Sequence, residues 1–190
     1  MRHKDENKSE AIFRATIQLL NEIGFSDTSM SKIAKRANVS PSTIYVYFEN
    51  KEDMLGKLYL NVKKKLSLIM LAGLDESVSV RAGLELVIRN YLSYTLEHKE
   101  DFLFIEQFCN SPIIEKLNLE DAKLMFQPFF QLIERGKKEK LIKDCDLMLL
   151  LVYIQTPLTE MVKLHLKGEF EFTETNIKHM VQMCWGAIKA

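Results

Sequence analysis

Apolar residues recur at intervals of three and four along nearly the whole chain, a spacing that commits it to α-helix. Ile12, Ala15, Thr16, Leu19, Leu20 and Ile23 mark one face of a first helix that Gly24 ends. Met30, Ile33, Ala34 and Ala37 repeat the pattern in a short helix begun by Thr28 or Ser29, and Asn38 suits the left-handed position after it. Ser40-Pro41 is an N-cap followed by proline at the first helical position, opening a third short helix to about Phe48. Asn50 caps a fourth, with Glu52 and Asp53 in its first turn and Leu55, Leu58, Tyr59, Val62, Leu66 and Ile69 along one side until about Gly73. Ser79 caps a helix to about His98, and another covers 100–110. A segment over 119–138 contains Pro128, one over 146–167 contains Pro157, and Thr173 caps the last. No stretch alternates as a strand does. The predicted fold is all-α, about nine helices: a three-helix domain over 1–50 and a helical bundle over 51–190.

Charge narrows the function. Lys+Arg and Asp+Glu both number 26, so the chain is formally neutral and, taken whole, unlike a basic nucleic-acid binder. Yet residues 1–65 carry 12 basic against 8 acidic side chains, and the excess over 28–51 is +3 from Lys32, Lys35, Arg36 and Lys51 against Glu49. Such a split marks the N-terminal part as the side that meets phosphate. Cys109, Cys145 and Cys184 have neither disulfide nor zinc-ribbon spacing, and His98, His165 and His179 pair with no other ligand. No metal, no cofactor and no catalysis are expected, since the nucleophile, phosphate-loop and zinc motifs are absent. The longest apolar run, Leu147–Ile154, is eight residues, and no signal segment leads the chain, so a cytoplasmic protein outside the membrane is expected.

Two short helices joined by Ala37-Asn38-Val39 have the size and order of a helix-turn-helix. With Ile44 and Phe48 facing inward, 100° per residue turns Ser42 and Val46 outward, with Thr43 and Tyr45 beside them and Tyr47 leaning back. Hydroxyls there meet phosphates or base edges, and Val46 can touch a thymine methyl. The amides at Ser40–Ser42 and near Lys51 offer anion sites. This helix carries no Arg, Asn or Gln for bidentate base contacts, which predicts reliance on phosphate positioning and DNA shape. Lys63, Lys64 and Lys65 read as a solvated face.

The run T-S-M-S-K-I-A-K-R-A-N-V-S-P-S-T-I-Y-V-Y-F-E-N-K-E-D-M-L, preceded by Gly24-Phe25, resembles the DNA-binding signature of TetR-type (tetracycline-repressor-like) regulators over about residues 9–65. The remainder resembles that family in layout only. Ser31 stands where many relatives carry Arg, and Asn38 where they carry glycine. The resemblance implies a homodimer on double-stranded operator DNA, with contacts from Lys32, Ser40, Ser42, Thr43, Tyr45, Tyr47 and Lys51, to which the register adds Val46.

For the second part the resemblance implies a pocket for a small apolar effector. Candidate ligand-binding residues are Tyr91, Tyr94, Phe108, Phe126, Phe129, Phe130, Tyr153, Gln155 and Glu160, in a region where Pro157 should kink its helix. Leu147, Leu150, Leu151, Ile154, Leu158, Met161, Val162 and His165 form one apolar band, and Ile177, Met180, Val181, Cys184 and Ile188 a second. They serve either as an intramolecular core or, as the resemblance favours, as a homodimer interface through the last two helices. The expected function is a ligand-responsive transcriptional repressor on a palindromic operator. The alternative is a helical small-molecule-binding or enzymatic protein with a vestigial helix-turn-helix.

Overall fold

The computed structural model describes residues 2–116 and 119–190, with the side chains of 2–7 and 116 left aside. Ten α-helices follow one another: α1 (Arg2–Asp27), α2 (Met30–Arg36), α3 (Pro41–Tyr47), α4 (Lys51–Met70), α5 (Val80–Glu97), α6 (Lys99–Cys109), α7 (Glu120–Leu124), α8 (Gln127–Lys138), α9 (Leu147–Leu166) and α10 (Glu174–Ile188). A 3-10 turn lies at Ile114–Lys116. The fold is all-α, with one helix more than the spacing predicts. The difference is at Pro128. It stands in the first turn of α8, where its missing N–H costs nothing, so the 119–138 segment is two helices rather than one.

The helix ends follow the local chemistry. Gly24 breaks α1 at φ 75 and ψ 177, a conformation nearly closed to residues with a Cβ, and Thr28 Oγ1 donates back to its carbonyl at 2.7 Å. Ser29, Ser40, Asp146 and Thr173 accept amide hydrogens as N-caps, and Asn38 takes φ 54 in the turn after α2. Asn50 Oδ1 accepts the Asp53 amide at 2.8 Å, while Asp53 Oδ2 accepts the Glu49 amide at 3.0 Å.

The chain groups into two compact units. One holds residues 1–63 and 98–119, the other 64–97 and 120–190. The first unit takes in α6, which lies in the C-terminal half of the sequence, and α4 contributes to both units. In the first, Ile12, Leu20, Ile33, Ile44, Met54, Leu55 and Leu58 are sealed from water, and α6 packs on α1. Phe108 lies here, its ring 4.9 Å from that of Tyr59 and 5.5 Å from that of Phe104. Lys63 is not on the solvated face expected of it. It is half-buried with Nζ 6.0 Å from the Tyr59 ring centre, and burial holds its pKa down, whereas Lys64 and Lys65 are exposed.

In the second unit α5 packs on α8, α9 and α10. By length and composition α9 could cross a membrane, with mean hydropathy 1.4. Its Leu150, Ile154, Leu158 and Val162 instead form this unit's core with Met180, Val181, Cys184 and Ile188 of α10. The two apolar bands read from the sequence are therefore largely an intramolecular core. What α9 and α10 leave exposed is a different apolar surface: Met148, Leu149, Val152 and Tyr153 on one helix and Met183, 73% exposed, on the other.

Candidate nucleic-acid interface

The geometry of the helix-turn-helix follows from its apolar positions. Ile33 and Ala34 bury the inner face of α2, and the turn is closed by Ala37 N–H to Ile33 O at 2.8 Å and Val39 N–H to Ala34 O at 3.0 Å. On α3, Ile44 is 0% exposed and Phe48 just beyond it is buried, which fixes the rotation of the helix. The opposite side then carries Ser42, Tyr45 and Val46, at the i, i+3 and i+4 positions of one face. Ser42 is exposed, Tyr45 is 56% exposed and Val46 78%. A helix this short, with one buried line and three solvent-facing side chains opposite it, is shaped to lie in a groove.

At the start of α3 the Ser40 hydroxyl stands 2.8 Å from both the Ser42 and the Thr43 hydroxyls, and its oxygen accepts the Thr43 amide at 3.2 Å. Thr43 and Tyr47 are half-buried beside the outward face, as the register predicts. The two lysines are less free than the sequence suggests. Lys32 Nζ donates to Asp27 O at 2.8 Å and Lys51 Nζ to Phe25 O at 2.6 Å, so both ammonium groups tie down the end of α1 beyond the Gly24 break. Partial burial holds the Lys51 pKa below its ordinary value.

Two supporting contacts were not read from the sequence. Arg36 makes a paired contact with Glu22 at 2.9 and 2.6 Å, locking α2 onto α1; the residues are far apart in sequence, and no local pattern announces the pair. Lys57 bridges Asp53 Oδ2 at 2.9 Å and the Tyr47 carbonyl at 3.4 Å and lies 5.6 Å from the Phe48 ring centre. The i, i+4 spacing of Asp53 and Lys57 is the signal that could have found it.

The candidate ligand residues are dispersed. Tyr91, Tyr94, Phe126 and Phe129 are buried in the second unit, where the Tyr91 hydroxyl is 3.1 Å from that of Thr159, and Phe130 is half-buried. Phe108 belongs to the first unit's core, stacked on Tyr59. Tyr153 and Glu160 line an outward groove of about 500 Å³ between α9 and α10, together with Pro157, Met161, His179 and Met183. Gln155 is exposed on α9, outside the set that lines this groove. The helix is continuous through Pro157, which removes the hydrogen bond to the Tyr153 carbonyl. Burial pushes the Cys184 thiol up to about 11 and raises that of Cys109, so neither is a thiolate near neutral pH.

A short helix locked by Ile44 and Phe48 and offering hydroxyls and a bare valine, packed after α2, is the second helix of a helix-turn-helix unit. The comparisons agree. The profile of bacterial regulatory proteins of the tetR family matches residues 12–58, and that of the tetracyclin repressor-like C-terminal domain matches residues 85–189. A TetR family transcription regulator from Marinobacter aquaeolei VT8 is 30% identical, with 100% of this chain and 99% of that one covered and a TM-score of 0.89. The fatty acid metabolism regulator protein of Bacillus subtilis is 31% identical over 60% of this chain and 64% of its own length. An HTH-type transcriptional regulator of Haemophilus influenzae is 46% identical over 29% of each. The match thus spans less than two thirds of both curated relatives. This chain belongs to the TetR family of bacterial transcription regulators, and the relatives are regulators rather than enzymes.

Proposed function

We propose that the protein is a ligand-responsive repressor that binds a palindromic operator as a homodimer and is released by a small apolar effector. The observation that carries this reading is the outward face of α3, Ser42, Tyr45 and Val46, held opposite the buried Ile44 and Phe48. Residues 1–50 serve DNA binding and 51–190 serve dimerisation and effector binding. Ser42, Tyr45 and Val46 enter the major groove. Ser40, Thr43, Tyr47, Lys32 and Lys51 hold the flanking phosphates.

The exposed apolar surface of α9 and α10 is the seat of the second subunit. Met148, Leu149, Val152 and Tyr153 of α9 and Met183 of α10 are exposed apolar side chains that a second copy would cover, and pairing two helices with two makes a four-helix interface. In such a dimer the two recognition helices must lie about 34–36 Å apart, or a multiple of a turn, to reach successive major grooves. The effector enters among the aromatic side chains of the second unit, where Tyr91, Tyr94, Phe126, Phe129 and Phe130 are the candidates. It acts by favouring a position of α4 that spoils this spacing, and so must bind the DNA-incompetent state more tightly. The name of the Bacillus subtilis relative makes compounds with an acyl chain the first to try. A regulator of this kind works in the cytoplasm.

A mobility-shift assay with the DNA upstream of its own gene, across salt and a panel of acyl and other apolar compounds, tests the reading. Specific binding released by one compound supports it. Binding that no salt concentration weakens, or no binding at all, refutes it.

A further inference from the structure

We infer that α3 reads a methyl group: Val46 recognises the C5-methyl of a pyrimidine in each operator half-site, so that 5-methylcytosine substitutes for thymine there. The inference rests on the proposed operator binding and adds the chemistry of one contacted base. Three observations lead to it. Val46 is 78% exposed, an aliphatic β-branched side chain left in water on the outward face of the helix. The helix that carries it, Pro41–Tyr47, has no Arg, Asn, Gln, Asp or Glu, so none of the side chains that recognise a base edge through paired or acidic hydrogen bonds is present. Its other outward groups, on Ser42 and Tyr45, are hydroxyls, each able both to donate and to accept.

These properties separate the methyl from the rest of the base. In the major groove thymine shows a C5-methyl beside the O4 acceptor, whereas cytosine shows an N4 donor and a bare C5. A hydroxyl satisfies O4 by donating and N4 by accepting, so Ser42 and Tyr45 distinguish the two bases poorly. Val46 gains only where a methyl is present to be taken out of water. A 5-methylcytosine offers that methyl at the same place in the groove as thymine does. The surface therefore ranks thymine and 5-methylcytosine together, above uracil and unmodified cytosine, and cytosine methylation of the operator changes occupancy.

The test takes the full chain and the site it selects from random duplexes, and scans each thymine of that site in four forms: T·A, U·A, 5-methyl-C·G and C·G. At one thymine per half-site, T and 5-methyl-C should bind alike, and U and C should each be weaker by about fourfold per half-site, the value of one buried methyl. Val46→Ala should flatten the ranking at that position. Val46→Thr, which keeps one methyl and the branching, should preserve part of it. Both variants alter only an exposed side chain, and circular dichroism checks that they fold. Uracil tolerated at every thymine, or a uracil penalty unchanged in Val46→Ala, overturns the methyl reading and leaves operator binding standing. If no duplex is selected, the operator-binding reading falls, and this inference with it.

Discussion

Ile44 and Val46 lie two residues apart on the same short helix, and removing carbon from each should have opposite consequences. Ile44→Ala deletes methyl and methylene groups from a side chain that is 0% exposed, on a helix with little other apolar anchorage. At about 0.8 kcal/mol per buried methylene, with a further term for the space left behind, the loss comes to about 3 kcal/mol. Val46→Ala removes carbon from a side chain 78% exposed and replaces a β-branched residue by a better helix former, so stability should change by no more than about 0.5 kcal/mol. With a urea m-value of about 2 kcal/mol/M, these differences put the unfolding midpoint of Ile44→Ala about 1.5 M below wild type and leave that of Val46→Ala within about 0.25 M. Far-UV circular dichroism in urea measures both, and hydrogen exchange of the α3 amides shows whether the loss is local. Operator affinity should respond to both substitutions. A Val46→Ala midpoint as low as that of Ile44→Ala would refute the assignment of faces, and with it the argument that Ser42, Tyr45 and Val46 are available to DNA.

Three other outcomes follow from the packing and the charges. In Gly136→Ala the new Cβ would stand 2.5 Å from Ile142 Cδ1 and 2.9 Å from Val80 Cγ1, so calorimetry should find a loss of about 1–3 kcal/mol from overpacking; an unchanged melting temperature would contradict the contact. Burial works to raise the Asp53 pKa, but the Lys57 ammonium and the Glu49 amide outweigh it and hold the carboxyl below its ordinary 3.8. Its contribution is thus full above that value and lost as pH falls through the lower folded one, so the wild-type advantage over Asp53→Asn in urea should be flat near neutrality and vanish in acid. An advantage that persists below the folded value, or grows in acid, would count against the pairing. Replacing both Val152 and Met183 by Glu should convert a dimer to a folded monomer by sedimentation, because both side chains are exposed in the single chain. An unchanged mass would move the interface elsewhere.

The helix-turn-helix was legible because its determinants are local. Ser40-Pro41, Asn38 and the Ile44/Phe48 spacing each act within one turn of chain, and together they set the rotation of α3 before any tertiary contact is considered. The last two helices were harder. Two apolar bands were plain in the sequence, but periodicity cannot say whether a band meets its own chain or another. Leu150, Ile154 and Val181 are buried where α5, α9 and α10 pack together, while Met148, Val152 and Met183 stand exposed. The aromatic residues failed for a related reason. Phe108 and Tyr153 are equally aromatic, and only the three-dimensional path of the chain puts one in a sealed stack and the other in a groove open to water. Pro128 misled through position: the same residue that breaks a helix in its middle begins one at its first turn.

The bonds from Lys32 to the Asp27 carbonyl and from Lys51 to the Phe25 carbonyl bear on how so modest a charge can hold a polyanion. A lysine on an open surface samples many rotamers and gives up about 1–2 kcal/mol of entropy when a phosphate fixes it. Lys51, half-buried, and Lys32, at the surface, each give up part of that freedom to one backbone bond in folding. Each ammonium spends one donor on a backbone carbonyl and keeps two for an incoming oxygen. On the operator proposed above, encounter would find two cations already directed by the end of α1. A phosphate that either ammonium reaches would be held at less entropic cost than by a free lysine. In the proposed complex, such partial ordering would let a chain of zero net charge use few cations to hold DNA.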